Sequence, residues 1–580
     1  MSGIDYAIVA SYLVLLLVVG GWFARRASQS SDAYFLGSNR LPWWALGSSG
    51  MSSNLDVAGT MTIVTMIYLF GVHGFFIEMR GGVVLPIAVF MAFMGKYHRR
   101  SEVMTTAEWM ELRFGTDWQG KAARVTAALT YVVITIGMVV FFLSAMGKFL
   151  AVFLPFSELQ CQLGVLCIAL IYTGASGLYG VVWTDVFQSG LIGAAALYVA
   201  VVAGLEYGPH IAEAWPGSPF NQAWPLWYNE NLRVEHSGGV LDYRWFGFFL
   251  IFWAGKGLLE GLGGSGGSAY MAQRFYAARD EKDCGKIGML WTVLFAFRWP
   301  MVLGFAILAV ALGVGLENPE TILPEVLLSD YFPPGVRGLV VAAMLAAAMS
   351  TFDSTINAGA SYLVKDGFQL LKPDASERSL TWAGVVSSVL IVAVGLFIAL
   401  QVDSIIEVWV IIVINLFPAF LVPFALRWFW GKMSGCGFAV GVVAGFLSAM
   451  TLVVFPDIAG GNEMIMLGVT VVVSWLGCMF GTMCSPHPDQ MQVLEFYRKV
   501  RPMGWWPKEW VRDRVVDNRR DRKDLLLALL WQLLTFLLPM LTMLRRWDEV
   551  VIGFVVWLIL SVVLFKKYFG RRSRRLRSRT

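Results

Sequence analysis

Charge is scarce in this chain. Only 15% of its 580 residues are Asp, Glu, Lys or Arg, against 57% hydrophobic, and a mean hydropathy of +0.63 excludes an ordinary soluble domain. Cysteine and histidine are scarcer still. Cys161, Cys167, Cys284, Cys436, Cys478 and Cys484 show neither disulfide nor metal spacing. Most of them lie inside apolar runs, where a buried free thiol is the ordinary state. The five histidines are dispersed and fit no ligand pattern. A phosphate loop is missing too: Gly263-Gly-Ser-Gly-Gly lacks the following Gly-Lys-Ser/Thr and sits within an apolar run, so nothing here hydrolyses ATP. No enzyme chemistry is read from the chain.

What the chain has in quantity is long apolar runs. A crossing of roughly 30 Å of hydrocarbon takes about 20 residues, and such runs occur near 4–24, 43–71, 74–97, 121–154, 161–182, 185–206, 244–270, 287–315, 337–369, 377–401, 404–430, 436–456, 464–484, 524–543 and 550–569. The sequence therefore predicts an all-α polytopic protein of about 15 spans, with the lipid bilayer as its first partner. No basic n-region precedes the first run and Arg25-Arg26 follows it, which reads as a retained anchor. Most of the 45 Lys and Arg fall in alternate loops, among them Lys96 to Arg124, Arg274 to Lys286, Lys365 to Arg378, Arg498 to Lys523 and the tail from Lys566. The positive-inside rule makes those loops cytoplasmic, with the N-terminus outside and the C-terminus inside a plasma (cytoplasmic) membrane. The tail Arg571-Arg-Ser-Arg-Arg-Leu-Arg beside a span reads as a contact for anionic head groups rather than for nucleic acid.

Three stretches carry polar groups at membrane depth. In 337–369, Ser350, Asp353, Ser354 and Asn357 recur at i, i+3, i+4 and i+7, stacking oxygen-bearing side chains on one helical face. That face suits either a small hard cation, which takes several oxygens, or a polar seam between helices. A carboxylate at such depth is costly without a cavity, partner or cation. The stretch Leu46-Gly-Ser-Ser-Gly-Met-Ser52-Ser-Asn54-Leu55-Asp56-Val-Ala-Gly59 should break its helix, and so should the glycine cluster from Gly255 to Gly267. The cluster could equally serve close helix contact. Paired breaks in corresponding halves point to an inverted-repeat secondary transporter with a midplane site.

In these residues the chain resembles the sodium:solute symporters, the group of sodium/glucose, sodium/proline and sodium/sialic-acid cotransporters. The resemblance rests on Ser52-Ser-Asn-Leu55, Gly180-Val-Val-Trp-Thr184-Asp185-Val-Phe-Gln188, Gln273-Arg274 with Ala277-Ala-Arg-Asp280, and Ala346-Ala-Ala-Met-Ser350-Thr351, and it covers about residues 4–484. It implies a five-plus-five inverted-repeat (LeuT-like) core and alternating access driven by sodium. The implied organisation is an extra helix and loop at 1–42, a first repeat at 43–206, an external loop at 207–243, a second repeat at 244–430, two extra helices at 431–484, a cytoplasmic amphipathic segment at 485–523, and a C-terminal hairpin with basic tail at 524–580.

The resemblance also implies ligands. Carbonyls of Ser52, Leu55 and Ala347 with the hydroxyls of Ser350 and Thr351 match the family's sodium site. Asp185, Ser350, Asp353 and Ser354 match a second sodium set found in some members, although Asp185 could simply cap a helix after Thr184. Asn54 and Glu78 match a polar pair of sugar-transporting members, whereas their aromatic pair aligns with Gly264 and Ser265, which offer backbone and space instead. Asp56 and Arg298 are this chain's own polar groups. Arg298 could bind a solute carboxylate bidentately or pair with an acid, and Lys256 and Glu260 at i, i+4 could neutralise each other. The expected function is sodium-coupled import of a small polar solute, sugar-like or carboxylate-bearing. Alternatives are proton coupling through Asp56, Asp185 and Asp353, or a channel or transporter-derived sensor.

Overall fold

The structure is a computed structural model describing residues 1–27, 41–77, 84–103, 105–207, 224–236, 239–264, 269–314, 318–460, 462–512 and 515–570. Helices dominate because apolar runs without water must bond their own backbone groups. Asp5, in the first turn of α1 (Gly3–Ala27), accepts from the amides of Gly335 and Gly338 at 2.7 and 2.8 Å, tying the chain's start to a distant helix end. α2 (Trp43–Ser52) and α3 (Val57–Phe70) form one apolar stretch bent by 57°. The expected break is there, at Ser53–Asp56, with Asp56 capping α3 through the Gly59 amide. A π-helical turn at Phe90–Met94 leads into α4 (Gly95–Ser101). α5 (Trp118–Ala151) is capped by Asp117, and α6 (Glu158–Glu206) by a Ser157/Gln160 capping box.

A short hairpin, β1 (Arg233–His236) and β2 (Gly239–Asp242), pairs antiparallel with Arg233 opposite Asp242 and lies in the segment expected to be an external loop. The second half then runs through α7 (Phe246–Leu262), α8 (Ala269–Tyr276), α9 (Glu281–Phe295), α10 (Arg298–Leu312), α11 (Val336–Leu363) and α12 (Glu377–Ala399). α13 (Pro418–Phe429) continues from Ile405–Val410 through a π-helical stretch. α14 (Gly435–Val454) and α15 (Glu463–Met483) pack closely through glycines, Gly477 lying so near Gly441 that an added Cβ would stand 3.0 Å from its Cα.

Beyond them, α16 (Gln490–Val500) buries Val493, Phe496, Tyr497 and Val500. Its apolar face packs on protein: Phe496 meets Trp109 at 5.1 Å and Arg113 stands over Phe496 at 5.4 Å. Within the segment expected to be cytoplasmic and amphipathic, α16 thus lays its apolar face on the bundle. α17 (Val515–Met543) and α18 (Trp547–Phe569) form the expected hairpin, pinned by indole hydrogen bonds from Trp531 to Ser561 and from Trp557 to Thr535, both 2.8 Å.

Among the described residues ten helices are long and apolar enough to cross a membrane, or eleven counting the bent pair. The expected fifteen is not reached among the described residues. The runs at 161–182 and 185–206 form one helix of 49 residues, about 74 Å at the α-helical rise. In the run at 74–97 residues 78–83 lie outside the described ones, and in 244–270 the described residues form the 17-residue α7 and the start of α8. Burial orders the bundle from inside out: the apolar window of α11 is 94% buried and that of α18 only 11%. The helix carrying the polar face is therefore the bundle's axis.

Candidate cation and solute site

The first break faces α11. Four residues cannot hold an α-helical ladder across a 57° bend, so carbonyls are released there and neighbouring side chains reach them. Thr351 Oγ1 donates toward Ser53 O at 3.0 Å and its own helix's Ala347 O at 3.1 Å. Ser350 Oγ stands 3.0 Å from Ser52 Oγ, and Ser53 Oγ stands 2.8 Å from Ser354 Oγ. Ala347, Ser350, Thr351 and Ser52 are thus brought together, with Leu55 buried at the end of the same break. The sequence reading missed Ser53, whose carbonyl and hydroxyl both face α11. Nothing in Ser53-Asn54-Leu55-Asp56 tells which carbonyl the bend leaves free.

Asp185 lies inside α6, not at a helix start, so it caps nothing. Its carboxylate accepts from Ser49 and Ser350 hydroxyls, each at 2.5 Å, and from Ser53 at 3.5 Å. Its ionic partner is Arg274, whose Nη2 is 3.6 Å away and also donates to Ser49, Ser53 and Ser354 at 3.1, 3.1 and 2.6 Å. Arg274 is fully buried, which corrects its expected place in a cytoplasmic loop. Its guanidinium lies where the second sodium set was expected, between Asp185 and Ser354, and brings a positive charge that belongs to the chain. Asp353 is buried one helical turn from Ser350, within electrostatic reach of the Tyr12 hydroxyl that Gln188 holds at 2.9 Å.

The opposite side of the break holds other groups. Asn54 bonds the Tyr270 hydroxyl through its amide nitrogen, while its backbone carbonyl accepts from Arg298 Nη1 at 3.2 Å. Arg298 is 2% exposed, yet among the described residues its Nε and Nη2 have no hydrogen-bond partner, and neither does Asn54 Oδ1. A Cβ added to Gly59 would fall 2.7 Å from Arg298 Nη2 and 3.1 Å from Asp56 Oδ1. That glycine lets the guanidinium and the carboxylate approach the same point of α3. Lys256 and Glu260 are paired at 2.5 Å and both buried, so they do neutralise each other.

The glycine cluster departs from expectation. Gly264 has φ +74°, and an added Cβ would stand 2.7 Å from His98 Cε1 and 2.9 Å from Met94 Cε and Trp428 Nε1. It ends α7 in a left-handed turn beneath packed side chains, so the open space expected at Gly264 is taken by His98, Met94 and Trp428. Gly263 O beside it is taken by Arg427 and Trp428 at 3.0 and 3.2 Å. Glu78 and Ser265, the remaining expected solute residues, lie outside the described residues.

Oxygen ligands at a helix break, facing hydroxyls on a central helix, are also the setting in which relatives are found. A family model described as the sodium:solute symporter family matches residues 34–445. The chain belongs to that family. The symporter is 27% identical to a sodium/sialic acid symporter of Aliivibrio fischeri over 70% of this chain and 78% of the relative. To a sodium/glucose cotransporter of Vibrio parahaemolyticus it is 25% identical, covering 79% and 86%. A solved sodium-coupled sialic acid symporter, in a substrate-bound outward-open state, superposes with a TM-score of 0.64 at 18% identity, covering 84% of this chain and 99% of that one. The symporter thus has the five-plus-five transporter fold. It is a multi-pass membrane transporter and not an enzyme, and sodium is its coupling ion.

Proposed function

We propose that the symporter binds one sodium ion between the first break and α11, and next to it a small polar solute that carries a carboxylate. The ligands are the carbonyls of Ser52, Leu55 and Ala347 and the hydroxyls of Ser350 and Thr351, with Ser53 alongside. The observation that carries this reading is the approach of Thr351 Oγ1 to Ser53 O and Ala347 O within 3.1 Å. Oxygens from two helices that must move apart in alternating access converge on one point, and a cation there holds them together. Sodium therefore favours the arrangement in which the break is closed on α11, which is how ion binding couples to the solute side of the same break.

For the second cation set of Asp185, Ser350, Asp353 and Ser354, Arg274 supports a different reading. A guanidinium already neutralises Asp185 and occupies Ser354, so a second sodium has to compete with a tethered charge. One sodium per solute is the expected stoichiometry.

The solute reading rests on Arg298. A buried arginine with two unpartnered donors is costly unless an acceptor arrives, and a carboxylate meets both donors in one plane. Asn54 Oδ1 then takes a hydroxyl or amide of the same solute, and Asp56 sets the charge beside it. Sialic acid, named for one of the relatives, is a solute with both features; the glucose of another lacks the carboxylate. The basic loops support a C-terminus in the cytoplasm and uptake toward that side. The boundaries 43–206 and 244–430 are proposed for the two repeats, each carrying one broken segment. Uptake into proteoliposomes under an imposed sodium gradient, compared for sialic acid, glucose and proline, tests the reading. Accumulation of the carboxylated sugar with one charge-balancing sodium supports it; transport of neutral glucose unaffected by Arg298→Gln overturns the solute assignment.

A further inference from the structure

Away from the transport site, at the end of the bundle that carries the basic loops, a cavity of about 600 Å³ opens between α4, α9, α17 and α18. Seven Lys or Arg side chains line it against four Asp or Glu. Three of the acids are already engaged: Asp521 with Lys96, Asp524 with Lys567, and Glu281 in a two-pronged contact with Arg100 at 2.8 Å. Of the other four cations, Lys282, Arg520 and Lys566 have no ion pair among the described residues. A recessed surface with surplus positive charge focuses anions, and lysine and arginine donors suit phosphate oxygens.

Two further observations define what reaches it. Lys566 ends a helix whose outer face is apolar and exposed, Val555, Ile559 and Val562 among its residues, so the cavity mouth stands at the level where head groups follow acyl chains. The last turn of α18 is also fixed to the core. The Tyr568 ring lies so close to Gly285 that an added Cβ would stand 2.2 Å from it, and the Tyr568 hydroxyl donates to Met91 O at 2.9 Å. One wall of the cavity therefore belongs to the C-terminal hairpin, beyond the matched residues 34–445, and the other to helices of the transport core.

We propose that this cavity binds a phosphate group, carried by an anionic lipid head group or free in solution, and that the bound phosphate joins Lys566 and Arg520 of the hairpin to Lys282 of the core. The test uses the full chain in neutral detergent with phosphatidylglycerol or inorganic phosphate added, bound adducts being counted by native mass spectrometry. The triple variant Lys282→Gln, Arg520→Gln, Lys566→Gln is expected to bind about 100-fold more weakly, since each charge facing an anionic group is worth about fivefold. Variant-sensitive retention of phosphatidylglycerol upholds the site with a lipid source, and variant-sensitive retention of inorganic phosphate upholds it with a soluble one. Neither probe bound by the wild-type chain, or both bound equally by the triple variant, overturns it. So does an equal loss on removing three charges outside the cavity, Arg498→Gln, Arg512→Gln and Arg519→Gln, which would assign binding to the basic surface at large. Should the triple variant fail to fold, the exposed single variants Lys282→Gln and Lys566→Gln carry the same comparison, each expected to weaken binding about fivefold.

Discussion

On the Asp185 side of the first break, four serine hydroxyls, a carboxylate and a guanidinium form a connected network, with contacts from 2.5 to 3.6 Å. On the Arg298 side, the same bend presents one backbone contact at 3.2 Å, with two guanidinium nitrogens and an amide oxygen left over. Both arginines are buried and both touch residues of Ser53–Asp56. They differ in what they neutralise: Arg274 stands against Asp185, whereas Arg298 reaches a carbonyl and lies near Asp56 beyond hydrogen-bond range. Among the described residues Arg274 leaves only its Nε without a partner, whereas Arg298 leaves both Nε and Nη2; a buried charge with most donors satisfied holds structure, and one with an open two-pronged edge is set to receive a ligand. The contrast separates the side of the break that holds the helices together from the side that recognises solute.

The hardest test of that contrast is Arg274→Met. It strands Asp185 at the bundle axis, and removing one partner of a buried pair costs about 3–5 kcal/mol. A large fall in unfolding temperature is expected, with most of it recovered in the double variant Asp185→Asn, Arg274→Met; additive losses in the thermal-unfolding cycle would show that the two charges do not act together.

Arg298→Gln should behave in the opposite way. The protein folds and binds sodium normally, while uptake of a carboxylated solute falls roughly 100-fold, the loss of a two-pronged charged contact of about 3 kcal/mol. An unchanged rate with an equal loss of stability would make Arg298 structural like Arg274 and dissolve the comparison.

Smaller effects are expected at the cation. Ser350→Ala or Thr351→Ala each removes one oxygen and should raise the half-saturating sodium concentration roughly fivefold to tenfold, about 1–1.5 kcal/mol, with solute selectivity unchanged. Sodium activation curves that coincide with wild type in both variants exclude these hydroxyls as ligands.

Gly264→Ala is a control on both. The left-handed turn and the contacts with His98 and Trp428 make it destabilising by about 1–2 kcal/mol, whereas the folded fraction should transport with unaltered solute affinity. A raised KM without loss of stability would return Gly264 to the solute site.

The smallest effect is expected outside the membrane. Glu320, in a short turn between helices, accepts from Lys148 and Ser404 at 2.6 Å and from the Ile405 and Ile406 amides. Burial alone would raise its carboxyl, but the bonds from Lys148 and Ser404 outweigh it and hold the group below the ordinary glutamate value of 4.5. Its contribution to stability is therefore complete above that value and lost as pH falls through the lowered one. Glu320→Gln should lower the unfolding temperature slightly at neutral pH and flatten the acid limb below about pH 4.5, so that the variant and wild-type profiles converge in acid; an unaltered acid limb would show the pair to be indifferent to protonation.

Sequence by itself determined the membrane class, the position of the first break and the polar content of α11, because each follows from local facts: hydropathy over a span, poor helix formers in a row, and oxygens at helical spacing. Ser350 and Ser354 face the break as the four-residue spacing requires. What the spacing could not tell was which charge stands opposite. Arg274 reads as a loop residue beside Arg279 and Lys282, and only the packing of α8 against α2 and α11 carries it to Asp185, some ninety positions earlier in the chain. Likewise a run of glycines reads as open space, but three side chains from α4, the preceding π-helical turn and α13 close over Gly264. Tertiary structure decided both, since a buried charge and a missing side chain each take their meaning from neighbours that the sequence holds far away.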